Sequence, residues 1–421
     1  MNNPNKYGAS LNLRGRTRQL GVKAGKYLRT NGKQNIVIIA ATLVLFALFT
    51  LINGNFASSA NLLVLSKSFV PYAIMALGVT FVIATGGIDL SIGTVCIGAA
   101  VLAGAICGTT VTVTELLWLT VPLILLFGLG FGLLNGVLIA KCKIPPFIAT
   151  LGTMLLSRGL TAVIAQVITE KSSAIKYPTT GWFQSIFSSL NGFPIGLVWV
   201  LVLTVICMVV MYKTRTGRYI LAIGSNEEAT RLSGINVDRY KIIAYAIGGL
   251  FAGLAALFWT AANPSLTLAS GNGMELDAIA GVYIGGTSTT GGFASVAGTI
   301  FGSLILVVIR QGLNFALMEF GSSLSATFIT YAVTGVIVVG AVLLDVFKKK
   351  AAAKVKIETP AEKLKKSISE EIEELRIEKD YALSAKGNAE AAARVDEINA
   401  EIAALKDRLR TELPALKAQK K

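Results

Sequence analysis

Apolar residues fill long stretches of the sequence between residues 35 and 346, and short polar segments separate these stretches. A helix needs about 20 mostly apolar residues to cross the hydrocarbon layer of a membrane. On this measure the sequence predicts ten membrane-spanning helices. The predicted spans are approximately 35–53, 62–86, 90–110, 116–140, 147–169, 194–212, 242–262, 275–292, 294–317 and 326–346. The eighth is the weakest, because it is short and rich in glycine.

Composition supports a membrane protein. Charged residues make up 15% of the 421-residue chain and apolar residues 53%, whereas soluble domains average about 25% charged residues. The predicted fold class is therefore an all-α, polytopic integral membrane protein of about ten transmembrane helices. Glycine is frequent in the apolar part, where it permits close helix contacts or broken helices along a pathway.

The position of the charges predicts the topology, because cytoplasmic segments are enriched in Lys and Arg. Residues 1–34 carry eight basic residues and no acidic one, and basic residues also dominate 213–241 and begin 347–421. We therefore expect a basic cytoplasmic tail (1–34), a transmembrane domain (35–346) with a cytoplasmic loop (213–241), and a cytoplasmic helical extension (347–421). All three of these segments are expected on the cytoplasmic side, so an even number of spans must separate any two of them. This requires the eighth span to cross the membrane.

Catalytic signatures are missing from the sequence. It has no histidine, no phosphate-binding GxxxxGK[ST] loop and no GxSxG motif. The four cysteines form no CxxC pair and are expected to be core residues. We therefore predict no enzyme activity, no catalytic residue, no cofactor and no metal site. The net charge of +15 lies mainly at the chain ends and does not predict a nucleic-acid partner.

A polar break separates the second and third predicted spans. Gly86 and Gly87 permit a chain break, and Asp89 and Ser91 follow them. Two interpretations stay open: a capped turn at a membrane face, or a broken helix that places Asp89 on a transport path.

Charge inside a predicted span is costly and usually faces the bundle interior or water, and four such residues are candidates for the transport path. They are Arg158, Glu275, Asp277 and Arg310. Arg158 lies near the middle of its span and is expected to have a buried partner, with Asp89 or Asp277 as the candidates. A structural ion pair and a direct contact with substrate are both open interpretations.

The loop 213–241 predicts a short displayed helix. Asn226 can cap a helix whose first turn holds Glu227 and Glu228, and Gly234 can end it. Such an organised helix on the cytoplasmic side favours a docking role over a plain surface loop.

The extension contains two helical stretches with apolar residues at heptad-like spacing. They are Leu364, Ile368, Ile372 and Leu375, and then Val395, Ile398, Ile402, Leu405 and Leu409. Gly387-Asn388 can end the first stretch. The two stretches are expected to form a coiled-coil-like hairpin with each other, or one of them to pair with a partner.

Four segments resemble those of permease subunits of bacterial ABC importers of the ribose/galactoside/xylose sugar type. They are 71–93 (ending in GGIDLSIG), 145–163 (PPFIATLGTMLLSRGLTAV), 216–237 (TGRYILAIGSNEEATRLSGINV) and 272–292 (NGMELDAIAGVYIGGTSTTGG). The resemblance covers roughly 35–347, and the helical extension departs from it.

The resemblance implies a permease of the bacterial inner membrane that imports a sugar by alternating access. It implies three partners: separate ABC ATPase subunits, a second permease copy in a homodimer or heterodimer, and an extracytoplasmic sugar-binding protein. The ATPase would dock on the loop residues Arg218, Tyr219, Asn226, Glu227, Glu228, Arg231, Ser233, Gly234 and Asn236. Branched-chain amino acids or nucleosides remain alternative substrates, and a stand-alone secondary transporter remains an alternative mechanism.

Overall fold

The computed structural model describes residues 33–107, 116–169, 175–263, 265–320, 360–384 and 389–418, together with isolated positions between 328 and 347. The described chain is almost entirely helical and divides into two units. One unit, residues 34–348, contains the apolar helices and is called the membrane unit below. The predicted basic tail 1–34 lies almost wholly outside the described residues.

In chain order, the described part of the membrane unit contains α1 (Lys33–Ile52), α2 (Ser59–Ala84), α3 (Ile92–Cys107), α4 (Leu117–Ala140), α5 (Pro146–Ile168), β1 (Ile175–Lys176), α6 (Trp182–Phe187), α7 (Gly196–Lys213), α8 (Arg215–Ser225), α9 (Glu227–Leu232), α10 (Val237–Ala262), β2 (Ser265–Leu266), α11 (Met274–Ile284) and α12 (Val296–Glu319). The two short strands form an antiparallel pair with Ile175 opposite Leu266. One-turn 3₁₀ helices occupy Gly54–Ala57 and Leu268–Gly271.

Seven of the described helices are long and apolar enough to cross a membrane, and α3 is a shorter apolar helix. These eight overlap the first seven and the ninth of the predicted spans, which confirms an all-α polytopic membrane protein. The tenth predicted span, 326–346, falls mostly outside the described residues. The count of ten therefore stays a prediction.

The eighth predicted span differs from a continuous helix. Helix α11 has 11 residues, which corresponds to about 16 Å, roughly half of a hydrocarbon layer about 30 Å thick. Residues 285–295 after it are not helical, and Gly286, Gly291 and Gly292 adopt positive φ angles there. The expectation of one helix over 275–292 was wrong, because these glycines favour a turn over continued helix.

Helix α10 packs closely against α4. A side-chain carbon placed on Gly253 of α10 would lie 2.9 Å from the carbonyl oxygen of Ile124 in α4. One turn earlier, a carbon on Gly249 would lie 2.7 Å from the backbone nitrogen of Gly132. These small residues let the two backbones touch, which is how membrane helices gain packing without a hydrophobic driving force.

The described part of the second unit is a helical hairpin of α13 (Pro360–Ser384) and α14 (Ala389–Ala418). Ile368 of α13 and Ile398 of α14 are buried. Across the hairpin, Arg394 Nε of α14 donates to Glu378 Oε1 of α13 at 3.1 Å. The two stretches thus pair with each other, while the connecting Gly387-Asn388 lies outside the described residues.

Candidate functional site

The break between α2 and α3 is built around a buried carboxylate. The backbone nitrogen and the hydroxyl of Ser91 donate to Asp89 Oδ1 at 2.9 and 2.6 Å, and Asn135 Nδ2 of α4 donates to Ser91 Oγ at 2.9 Å. Thr153 of α5 in turn donates to Asn135 Oδ1 at 2.6 Å. Asp89 and Ser91 are each 1% exposed, so in this conformation neither reaches a solvent-filled space. Their place on a transport path stays a prediction.

A second cluster joins α2, α11 and α12. Arg310 of α12 donates to the Tyr72 hydroxyl at 2.6 Å and forms a short ion pair with Asp277 of α11. Its guanidinium also lies 5.1 Å from the centre of the Tyr72 ring, where the negative ring face attracts it. Two charges that would be costly in hydrocarbon thus neutralise each other beside a small cavity, which Tyr72, Ser303 and Leu306 help to line.

Arg158 has a partner that the sequence did not predict. Its Nη2 donates to Asn272 Oδ1 at 2.7 Å, and this contact is exposed on the isolated chain. The expected partners Asp89 and Asp277 bond to other groups, so that expectation is corrected.

Glu275 lies in the first turn of α11, close to the start of α3. A side-chain carbon on Gly93 would lie 2.9 Å from the Glu275 backbone nitrogen, so the two helix starts nearly touch. Glu275 Oε2 is buried and accepts no hydrogen bond from the described residues. The carboxylate is attracted electrostatically by Arg158. Arg158, Asn272 and Glu275 are called the mid-depth cluster below.

The depth of the mid-depth cluster follows from helix geometry. Arg158 lies about 18 Å along α5 from its start at Pro146, and α11 spans about 16 Å from Met274 to Ile284. The cluster thus lies about half a hydrocarbon thickness from the loops 141–145 and 285–295. A charged side chain at that depth is expected to face protein or water.

The predicted displayed helix is present as α9, and a further helix, α8, precedes it. Asn226 Oδ1 caps α9 by accepting from the Ala229 nitrogen at 2.9 Å, and Gly234 after it has a φ of +79°. Thr214 Oγ1 caps α8 by accepting from the Gly217 nitrogen at 3.3 Å. The threonine cap was the sequence signal that could have predicted α8.

Ion pairs attach α9 to neighbouring elements. Glu227 of α9 pairs with Lys241 of α10 at 2.6 Å and with Arg231 at 3.1 Å, and Arg231 also reaches Asp238 of α10 at 3.4 Å. Asp238 in turn pairs with Lys143 of the α4–α5 loop at 2.9 Å. The hydrogen bond from Lys143 is the main cause that lowers the pKa of Asp238 below its usual value. Burial acts to raise the pKa of Glu227, but Lys241 and Arg231 outweigh it and the pKa is lowered. Both carboxylates are therefore ionised at neutral pH.

The chain matches the family described as "Branched-chain amino acid transport system / permease component" over residues 61–344. It belongs to this permease family. Among its relatives, the ribose import permease protein RbsC of Escherichia coli K12 is 39% identical over 286 residues, which cover 66% of this chain and 84% of the relative. RbsC of Haemophilus influenzae is 38% identical over 281 residues, covering 65% and 83%.

The fructose import permease protein FruG of Bifidobacterium longum is 34% identical over 302 residues, covering 68% of this permease and 86% of the relative. No solved structure matches the chain. The family match includes the mid-depth cluster, the Arg310 cluster, α8 and α9, but not α13 or α14.

The outward surface of α8 and α9 contains most of the predicted docking residues. The exposed ones are Arg218, Asn226, Glu228, Arg231, Ser233, Gly234 and Asn236, whereas Tyr219 and Glu227 are half-buried. The Tyr219 ring packs edge-on against Tyr240, 4.9 Å away. Leu232 of the permease is 84% exposed, and sequence reasoning missed it. A single exposed leucine is common on protein surfaces and does not by itself mark an interaction surface.

The described part of the permease contains no cluster of three or more metal-ligating side chains. Cys96, Cys107 and Cys207 are buried free thiols, and Cys142 is an exposed one. We assign no role in the candidate site to these four cysteines.

Proposed function

We propose that this permease is the transmembrane subunit of an ATP-driven importer and forms the path of a sugar of the ribose class. The observation that carries the proposal is the fixed display of α9. Its Asn226 cap sets where it begins, and the ion pairs of Glu227 with Lys241 and of Arg231 with Asp238 attach it to α10 at neutral pH. Ribose and fructose import by the relatives named above supports a sugar as substrate. Because the sequence has no phosphate-binding loop, ATP would be hydrolysed by a separate subunit.

The ATPase subunit docks on the outward surface of α8 and α9. We assign the contact to the exposed residues Arg218, Asn226, Glu228, Arg231, Ser233, Gly234 and Asn236, with Leu232 as the apolar anchor. Tyr219 and Glu227 shape this surface from beneath, because each is half-buried against a neighbour. This surface combines charges of both signs with one large apolar residue, which suits a protein partner.

The path runs along the mid-depth cluster. Its Arg158–Asn272 contact is exposed on one chain, yet a guanidinium at this depth cannot remain in lipid without large cost. A second copy of the permease facing this surface would enclose a polar space between the two copies. Guanidinium, amide and carboxylate groups are suitable hydrogen-bond partners for sugar hydroxyls.

The other four path candidates hold the elements around that space. Asp277 and Arg310 fix α11 on α12, and Asp89 and Ser91 fix the start of α3 on α4. In this arrangement an extracytoplasmic sugar-binding protein delivers the sugar to the membrane face opposite α8 and α9. Because cytoplasmic segments are enriched in Lys and Arg, we assign the basic segments 1–34 and 347–421 to the cytoplasm.

Co-expression of the permease with its ATPase and binding protein tests the proposal. The purified assembly should contain two permease copies, and ribose with its binding protein should stimulate ATP hydrolysis. Stimulation by leucine or by nucleosides instead would change the substrate class. Normal function without any bound ATPase would refute the docking role of α9.

A further inference from the structure

The end of α8 lies in a tight joint with two other chain segments. A side-chain carbon on Gly291 would lie 2.9 Å from the Gly224 Cα and 2.5 Å from the Gly86 nitrogen. The Gly292 nitrogen donates to the Ala84 carbonyl at 3.0 Å, where α2 ends. The end of α8, the end of α2 and the loop 285–295 are therefore in direct backbone contact, which is called the glycine joint below.

A tyrosine holds the same loop at a second point. The Tyr212 hydroxyl at the end of α7 donates to the Ala294 carbonyl at 2.9 Å and accepts from the Val296 nitrogen at 3.1 Å. The loop 285–295 is thus fixed on both sides of the link between α7 and α8. A shift of α8 would be passed on to this loop, because backbone contacts leave no space to absorb it.

The loop continues directly into α11, which is fixed along α12. A side-chain carbon on Gly281 would lie 3.2 Å from the Ser303 Cα, and one on Gly302 would lie 2.7 Å from the Gly285 nitrogen. The ion pair between Arg310 and Asp277 adds a contact near the other end of α11. Helices α11 and α12 therefore behave as one rigid body, and Asn272 lies two residues before α11 begins.

The loop 213–241 is also attached to α5, which contains Arg158 of the mid-depth cluster. Arg231 of α9 reaches Asp238 of α10 at 3.4 Å, and Asp238 pairs with Lys143 at 2.9 Å. Helix α5 begins three residues after Lys143, at Pro146, and contains Arg158. The α8–α9 loop is therefore attached to both elements whose far ends meet at the Arg158–Asn272 hydrogen bond. These two attachments are of different kinds, since one is a close-packed backbone contact and the other is an exposed ion pair.

We propose that Gly224, with Gly291 and Tyr212, are positioning residues that transmit movement of the docked ATPase to the start of α11. When ATP moves α8, the glycine joint carries the loop 285–295 and α11 along, while the weaker ionic attachment to α5 lets Arg158 separate from Asn272. The mid-depth cluster thus opens from the α11 side. This inference rests on the proposed docking of an ATPase at α8 and α9.

The test uses a cysteine reporter at the start of α11 in the full permease–ATPase assembly. Leu276 is 52% exposed in the first turn of α11, and Cys142 is the exposed cysteine among the described ones, so L276C in a C142S background gives the reporter. The rate of maleimide labelling is measured with and without a non-hydrolysable ATP analogue. In the assembly that carries only L276C and C142S, the labelling rate should change when the analogue binds.

Two variants are designed to disrupt the contacts between the α7–α8 segment and the loop 285–295, and two control variants leave these contacts unchanged. G224A places a methyl group against the backbone of Gly291, and Y212F removes both hydrogen bonds to the loop. We expect G224A to reduce the ATP-dependent change roughly tenfold, an ordinary size for a lost coupling between sites, and Y212F to reduce it less. G130A and G54A, at positions where an added carbon would have no atom within 4 Å, should retain it.

Three outcomes overturn the inference: an unchanged ATP response in both G224A and Y212F, a loss in the controls equal to that in the variants, or no response in the parent with the ATPase bound. If G224A does not fold, the ATP-dependent change in the labelling rate of Y212F tests the inference. Loss of the ATPase from the parent assembly would instead refute the proposed docking itself. Retention of the ATPase by G224A and Y212F distinguishes failed transmission from failed docking.

Discussion

Arg158 Nη2 donates a hydrogen bond to Asn272 Oδ1 across 2.7 Å, about halfway through the apolar layer and on an exposed surface of the chain. The bond joins α5 to the segment that precedes the half-length helix α11. A guanidinium has several N–H donors, and this hydrogen bond uses one of them. This combination favours a polar surface that a second subunit and a passing sugar complete.

Replacement of Arg158 tests its contact with substrate. R158A should reduce ribose uptake by about tenfold or more, since a hydrogen bond to a charged group contributes about 1.5–3 kcal/mol. Insertion into the membrane should be unchanged, because Arg158 lies at a partly exposed position. L155A, at a 60% exposed position one turn away, is the matched control and should transport normally. Normal uptake by R158A would remove Arg158 from the path.

The ion pair between Arg310 and Asp277 is predicted to stabilise the fold. R310M alone or D277L alone should lower the melting temperature of the detergent-solubilised permease, because breaking a buried pair leaves an unpaired charge and costs about 3–5 kcal/mol in soluble proteins. The double variant R310M/D277L should recover part of the loss. Additive losses in a double-mutant cycle would show that the two residues do not act as a pair.

The outward surface of α9 is predicted to bind the ATPase. L232D and E228K should each reduce the ATPase recovered with the permease, since a central apolar anchor at an interface is worth about 2 kcal/mol or more. L383D introduces the same charge at an exposed leucine of α13 and serves as the control. Equal recovery with L232D and L383D would place the docking surface elsewhere.

The ion pairs beneath α9 predict a pH dependence. The pKa values of Asp238 and Glu227 are lowered in the folded state, so their stabilisation is complete above the unfolded values of about 4 and is lost as pH falls through the folded values. Hydrogen exchange of residues 213–241, corrected for intrinsic rates, should therefore stay constant from about pH 8 to 5 and rise only below about pH 4. D238N should exchange faster than the parent between about pH 8 and 5, where Asp238 is ionised, and the difference should shrink as the pH falls below about 4. A transition near pH 6 in the parent would contradict this account.

The long apolar runs sufficed to predict most helices, because the thickness of the hydrocarbon sets the length of each helix and leaves a clear signal. The break after α11 gave a weaker sequence signal. Glycine residues such as Gly285 and Gly286 also occur often within continuous membrane helices. The glycines at 217 and 224 likewise concealed α8, as they lower helix propensity in an otherwise amphipathic stretch.

The partners of the intramembrane charges depend on which helices meet, and a single sequence does not contain that information. Asn135 and Asn272 are single amides among apolar or small residues, and their roles appear only when α4 approaches α3 and when α5 approaches α11. By contrast, Asn226 and Gly234 predicted the limits of α9 because helix caps are local interactions. Docking at α9 and passage along the mid-depth cluster stay predictions.

Accumulation of radiolabelled ribose can be measured in proteoliposomes that contain the permease, its ATPase and its binding protein. We predict uptake above the external concentration only when ATP is supplied on the α8–α9 side, and no uptake when the ATPase subunit is left out. Ribose uptake by the permease alone, without ATP and ATPase, would contradict the account and indicate a stand-alone transporter.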